Sequence, residues 1–171
     1  MKYKSILMIL GIATATVVMT GCGSTPTPTF NQPTSQTESE YKPYLRTGSG
    51  SVTGQAFFVQ SGGVVVKAAG RTVTLDPATT TGKEWWAKAG LHYAHRTIVP
   101  SSSNFKKTRR KTVADAEGKF KFRGLPSGNY FILTDVTWNV PTYGIQGGLV
   151  GKQITVRNGQ TTELILNEYA Q

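Results

Sequence analysis

The sequence has a single cysteine and only two histidines to offer a disulfide framework or a metal centre. One Cys excludes an intrachain disulfide and a Cys-based zinc site. Acidic residues are also scarce, nine against nineteen Lys and Arg, which leaves a formal charge of +10. Charged residues make up 16% of the chain, where an average chain has about 25%. No apolar run is long enough to cross a membrane: the longest, Ile6 to Met19, falls short of the roughly 20 residues a spanning helix needs. What remains is a chain rich in Gly, Thr and Ser, of a length for one ordinary domain. Its excess of positive charge would favour an anionic neighbour.

Lys2 and Lys4 precede the apolar run, which gives the n-region and h-region of a secretory signal peptide. The run ends in Met19-Thr-Gly-Cys22. This resembles the lipobox of bacterial lipoproteins, with Met19 and Thr20 replacing the commonest residues. The resemblance implies a signal peptide over 1–21, cleavage before Cys22, and acylation of Cys22 as the membrane anchor. Gly23, where an inner-membrane protein would carry Asp, implies the outer membrane if the host is Gram-negative.

From Gly23 to Gly50 the chain is dominated by Thr, Pro, Ser and Gly, with no Val, Ile or Met. Such a composition buries too little apolar surface to offset its ordering entropy, so 22–50 reads as the lipidated Cys followed by a disordered tether. Residues 51–171 read as one all-β domain. Val52 to Val59 is a strand. Val64 to Ala69 and Arg71 to Leu75 read as one strand with a bulge at Gly70, ended by Pro77. Lys119-Phe-Lys-Phe-Arg123 has the period-2 alternation of a half-buried strand. Tyr130 to Trp138 is apolar on both faces, as in a central strand. Asn158-Gly159, between alternating runs, reads as a hairpin turn. The exception is 82–100, where Glu84-Trp-Trp-Ala-Lys-Ala89 predicts a short helix within the 83–95 segment, Glu84 in its first turn.

Two turns, Asp115-Ala-Glu-Gly118 and Gly124-Leu-Pro-Ser-Gly-Asn-Tyr130, flank the alternating strand. The whole run from Asp115 to Tyr130 resembles the signature of carboxypeptidase regulatory-like domains, with Gly50 to Gly54 and Ala69 to Leu75 matching the first strands. The resemblance implies a transthyretin-like β-sandwich of about seven strands, used for binding or spacing. The 79–110 segment departs from compact members of that family.

No catalytic constellation is visible. His92-Tyr-Ala-His95 lacks the Glu of a carboxypeptidase zinc site and offers two ligands where three or four are needed. Asp115 and Glu117 read as turn formers, and Ser101 to Ser103 as loop residues outside any nucleophile motif. Gly144 to Gly151 lacks the Lys-Ser/Thr of a phosphate loop. No enzyme activity, cofactor or metal is therefore expected. Trp85, Trp86, Tyr93, Trp138 and Tyr143 could line a glycan or peptide surface, although large aromatics more often serve cores.

The charge suggests a partner. Arg96, Lys106, Lys107, Arg109, Arg110, Lys111, Lys119, Lys121 and Arg123 face only Asp115 and Glu117 in the same stretch. If Asp115–Gly118 closes a hairpin, Arg109 and Lys111 share an outward face with Lys119, Lys121 and Arg123. Such a patch would bind an envelope polyanion or glycan with salt-sensitive affinity. An exported lipoprotein is not expected to meet nucleic acid. The sequence thus predicts a lipid-anchored, non-enzymatic envelope module for structure or interaction. The alternatives are a binding lipoprotein for a polyanion or glycan, and an assembly component with a protein partner.

Overall fold

The computed structural model describes residues 35–87 and 102–170. Among them are eight strands in two sheets. Sheet 1 is centred on β1 (Gly50–Val59). On one side β1 pairs in parallel with β8 (Thr161–Leu166); on the other it pairs antiparallel with β5 (Lys119–Leu125) and then β2 (Val65–Lys67). The Ala56 N–H donates to Gly118 and its carbonyl accepts from Ala68, so β5 and β2 lie end to end along the same side of β1. Sheet 2 has the order β4-β3-β6-β7: β4 (Arg110–Val113), β3 (Thr72–Pro77), β6 (Gly128–Val140) and β7 (Gly144–Val156). The chain is an all-β sandwich, as its sequence predicts.

The inner faces close one core. Side chains alternate along a strand, so Phe120 and Phe122 enter it while Lys119, Lys121 and Arg123 face water. Val52, Ala56, Leu75, Ile132, Val136 and Leu166 complete the contact between sheets. The second signature turn has a clear physical basis: the Tyr130 hydroxyl donates to the Pro126 carbonyl at 2.8 Å, so a buried phenol ties the turn to the strand it starts.

Three turns do something their sequence does not announce, because each carries the chain from one sheet to the other. Gly70, at φ +71, is not a bulge in one strand; it separates β2 of sheet 1 from β3 of sheet 2. Asp115–Gly118 is not a hairpin loop either, since β4 pairs with β3 and β5 with β1. Asn158-Gly159 makes the tight turn expected of it, at φ +69 for Gly159, but β7 is already paired with β6 out to Val156. The turn therefore delivers β8 to β1 in parallel and not back against β7.

The outer face of sheet 2 is covered by a second apolar layer, and here the expected tether is corrected. Residues 23–34 lie outside the described residues, but 35–50 are structured. They form α1 (Ser35–Glu40), a 3-10 helix (Lys42–Leu45) and the entry to β1. Tyr41 is fully buried against Phe105, with Trp85, Trp86, Phe131 and Leu133 in the same cluster. The insertion supplies α2 (Thr80–Trp85) and α3 (Ser103–Thr108). The helix begins earlier than predicted because Thr79 caps it, accepting from the Gly82 N–H; Glu84 lies in its last turn. Two acids of α1 bind it to both helices. Glu38 accepts from the N–H groups of Ser103 and Asn104 at 2.9 and 3.0 Å, and Glu40 from that of Thr81 at 3.0 Å. Their charge also suits those helix N-termini. Among the described residues, both apolar clusters are drawn from between Tyr41 and Ala170.

Candidate functional site

Because helices cover sheet 2, the outer face of sheet 1 is the free broad surface among the described residues. Cross-strand partners share a face. Thr53 lies between Lys121 on β5 and Glu163 on β8; Gln55 lies between Lys119 and Ile165. These six side chains form two rows across the sheet. Arg123 extends the β5 column, so three cations recur at every second residue, about 7 Å apart along the strand. Glu117 neutralises Lys67 above them, and Gln55 donates its side-chain N–H to the Glu117 carbonyl at 2.7 Å. Lys119, Lys121 and Arg123 make no ion pair with any described residue. A shallow groove of about 1240 Å³ runs over this face, lined also by Asp115, Lys152 and Asn167.

The structure divides the basic residues that the sequence groups together. Lys106 and Lys107 are exposed on α3, and Arg110 and Lys111 on β4, at the edge of sheet 2. Lys111, paired with Thr74, points to the outer face of sheet 2, away from Lys119, Lys121 and Arg123. Arg109 is not on a surface patch at all. It turns into the second apolar layer, where Nε and Nη2 each donate to Asp76 at 2.8 Å and the guanidinium lies over the rings of Trp85 and Phe105. Arg96 lies outside the described residues, as do Cys22, His92, Tyr93 and His95. The single outward patch is thus replaced by the β5 column and a separate group on α3 and β4. β4 and β5 belong to different sheets, so alternation along the sequence does not put them on one face.

The aromatics separate too. Trp86 stacks on Phe131 with ring centroids 4.4 Å apart, and Trp85 packs on Phe105; both are core residues over sheet 2. Trp138 is half-buried beside Phe58, and Tyr143 is exposed. Sequence reasoning missed Thr53, Gln55 and Glu163. Their polar alternation was visible, but their neighbours depend on β8 pairing with β1.

Two further carboxylates are engaged structurally. The Asp115 Oδ1 atom accepts from the N–H groups of Glu117 and Lys119, both at 2.9 Å, which holds the turn closed. Arg71 pairs with Asp135 at 3.0 Å. Among the described residues no three His, Cys, Asp or Glu side chains gather as metal ligands.

No family model matches the chain, and no curated protein does. Solved structures do match, among them a protein from Pseudomonas aeruginosa put forward as a carbohydrate binding protein. It is 28% identical, with a TM-score of 0.64, over 77% of this chain and 96% of its own. The two share this sandwich over nearly the whole of that protein. A minor pilin of Streptococcus agalactiae is far more distant: 14% identity and a TM-score of 0.36, over 74% of this chain and 47% of the pilin. That likeness is too loose to carry any inference.

Proposed function

We propose that the protein is a non-catalytic binding module of the cell envelope, anchored by a lipid on Cys22, that holds an anionic glycan on the outer face of sheet 1. The observation that carries the reading is the column Lys119, Lys121 and Arg123, without an ion pair among the described residues, beside the hydrogen-bonding side chains Thr53 and Gln55 on a broad sheet face that no described helix covers. A linear polysaccharide with acidic groups fits such a face. Its hydroxyls match Thr53 and Gln55, and its charges match cations spaced along a strand. The similar Pseudomonas aeruginosa protein, put forward as a carbohydrate binding protein, supports a glycan over other polyanions. The Asp115 and Pro126–Tyr130 turns, each closed by a side-chain hydrogen bond, support a carboxypeptidase regulatory-like domain. A non-catalytic role is supported by the carboxylates: Asp76, Asp115, Glu117 and Asp135 are all held by cations or backbone.

The test is calorimetric titration of the chain from Gly23 onward with polygalacturonate and with neutral dextran. The expected result is binding to the acidic polymer that weakens as salt rises. Lys119→Gln with Lys121→Gln should weaken it by about tenfold or more. Equal affinity for dextran, or an unchanged double variant, would remove the acidic glycan from the account.

A further inference from the structure

A different surface carries a second role. The β1–β2 and β6–β7 hairpins end side by side. Phe58, near the tip of the first, has its ring 6.4 Å from Trp138 of the second and 4.7 Å from Tyr169 of the C-terminal segment. At this end are six of the large apolar side chains that face water: Val59, Val64, Val65, Tyr143, Ile145 and Tyr169. Tyr143 and Ile145 are 76% and 79% exposed. In a chain of charge +10, no charged residue occurs from Phe57 to Val66, nor from Val136 to Gly151.

We infer that this end of the sandwich dips into the surface of a lipid bilayer. Apolar exposure would also suit a protein partner, but two features favour lipid. First, several backbone groups at the tips are already satisfied within the protein, which lowers the cost of leaving water. The Gln60 N–H donates to the Val64 carbonyl and the Gly63 N–H to Gln60; the Tyr143 N–H donates to Val140. The Gln146 carboxamide closes two tip carbonyls, those of Tyr143 and Ile145, at 3.0 and 3.3 Å. Second, the order of residues matches a bilayer interface. Aliphatic side chains and two tyrosines come first, as in an interfacial aromatic belt. The first basic residues behind them, Lys67 and Arg71, are paired with Glu117 and Asp135, so charge begins only behind the apolar tips.

The inference rests on the proposed lipid anchor only for proximity. Fully extended, Cys22 to Ser35 reaches no more than about 45 Å, so an anchored domain stays at high local concentration beside the bilayer. The apolar end stands on its own geometry, on a different part of the molecule from the β5 column.

The experiment is flotation of the chain from Gly23 onward, which carries no lipid but contains every described residue of both cores. The vesicles are neutral phosphatidylcholine, in high salt, so that electrostatic attraction is absent. The chain is expected to float with the vesicles. Tyr143→Asp with Ile145→Asp should cut the floated fraction about tenfold, as should Val64→Asp, because a charge strongly opposes transfer out of water. These side chains are exposed, so urea midpoints should not move. Lys119→Gln with Lys121→Gln should float like the wild type, which separates this result from the glycan reading. A wild-type chain that stays in the aqueous layer, or a tip variant that floats like it, overturns the inference. So does a concentration-dependent dimer in sedimentation that the tip variants dissolve, which would assign this end to a second copy.

Discussion

Arg109 grips Asp76 through two parallel hydrogen bonds of 2.8 Å inside the second apolar layer, where both side chains are nearly dry. Burial pushes the Asp76 carboxyl above its ordinary value, and Arg109 pulls it part of the way back. Arg109→Met removes the pull and leaves a buried carboxylate alone, at an expected cost of about 3–5 kcal/mol near neutral pH. The folded variant then keeps its proton up to a higher pH than the unfolded chain does. Between those two values the folded state binds more protons, so stability falls as pH rises and returns on acidification. Urea titrations at pH 4 and 7 check this. Arg109→Met combined with Asp76→Leu should recover most of the loss at pH 7 and show no such acid rescue.

Two glycines with nearly the same backbone conformation should respond very differently to a methyl group. Gly118 and Gly159 have φ of +71 and +69. A Cβ on Gly159 meets open space, whereas on Gly118 it would lie 2.6 Å from the Ala56 carbonyl oxygen. Gly159→Ala should therefore cost only the left-handed backbone strain, about 1–2 kcal/mol. Gly118→Ala should cost clearly more, since it also pushes β5 off β1. Comparable urea midpoints for the two would contradict the sheet-to-sheet path of this turn.

The alternation on β5 makes a sharper contrast. Phe122→Ala opens a cavity between the sheets and should cost about 3–5 kcal/mol. Lys121→Ala, one residue away on the water face, should change stability by less than about 0.5 kcal/mol. Thermal or urea unfolding of the two variants decides it.

Acylation of Cys22 is checked in cells. Incorporation of a labelled palmitate should mark the wild type and vanish in Cys22→Ser, with the wild type sedimenting with membranes. Label retained by Cys22→Ser would refute the anchor.

The strands were legible where both rows of side chains announce their surroundings. Lys119 to Arg123 alternates because one face of β5 is wet. Tyr130 to Leu133 is apolar on both faces because β6 is covered by sheet 1 and by the helices. The turns at Gly70, Gly118 and Gly159 were legible as turns. Their destinations were not, because a left-handed glycine sets φ locally and says nothing of which strand receives the next one. Order in 35–50 was hidden for a similar reason. Glu38 and Glu40 find their N–H donors some 40 to 65 residues further on, in helices that composition alone does not place. The basic cluster misled because closeness in sequence across a sheet-crossing turn becomes opposite sides of a sandwich. Only Lys119, Lys121 and Arg123, on a single strand, kept their common face.

The parallel pairing of β1 with β8 joins the first strand of the sandwich to its last. Until Thr161 to Leu166 has been synthesised, β1 lacks one of its neighbours and Leu166 is missing from the main core. Sheet 1 therefore cannot be completed as the chain emerges until β8 is made. Contacts this far apart in sequence also make folding slow, because the whole intervening loop must be closed before they reward it. A fragment ending at the Asn158-Gly159 turn should be open to proteolysis throughout, even though it holds seven of the eight described strands.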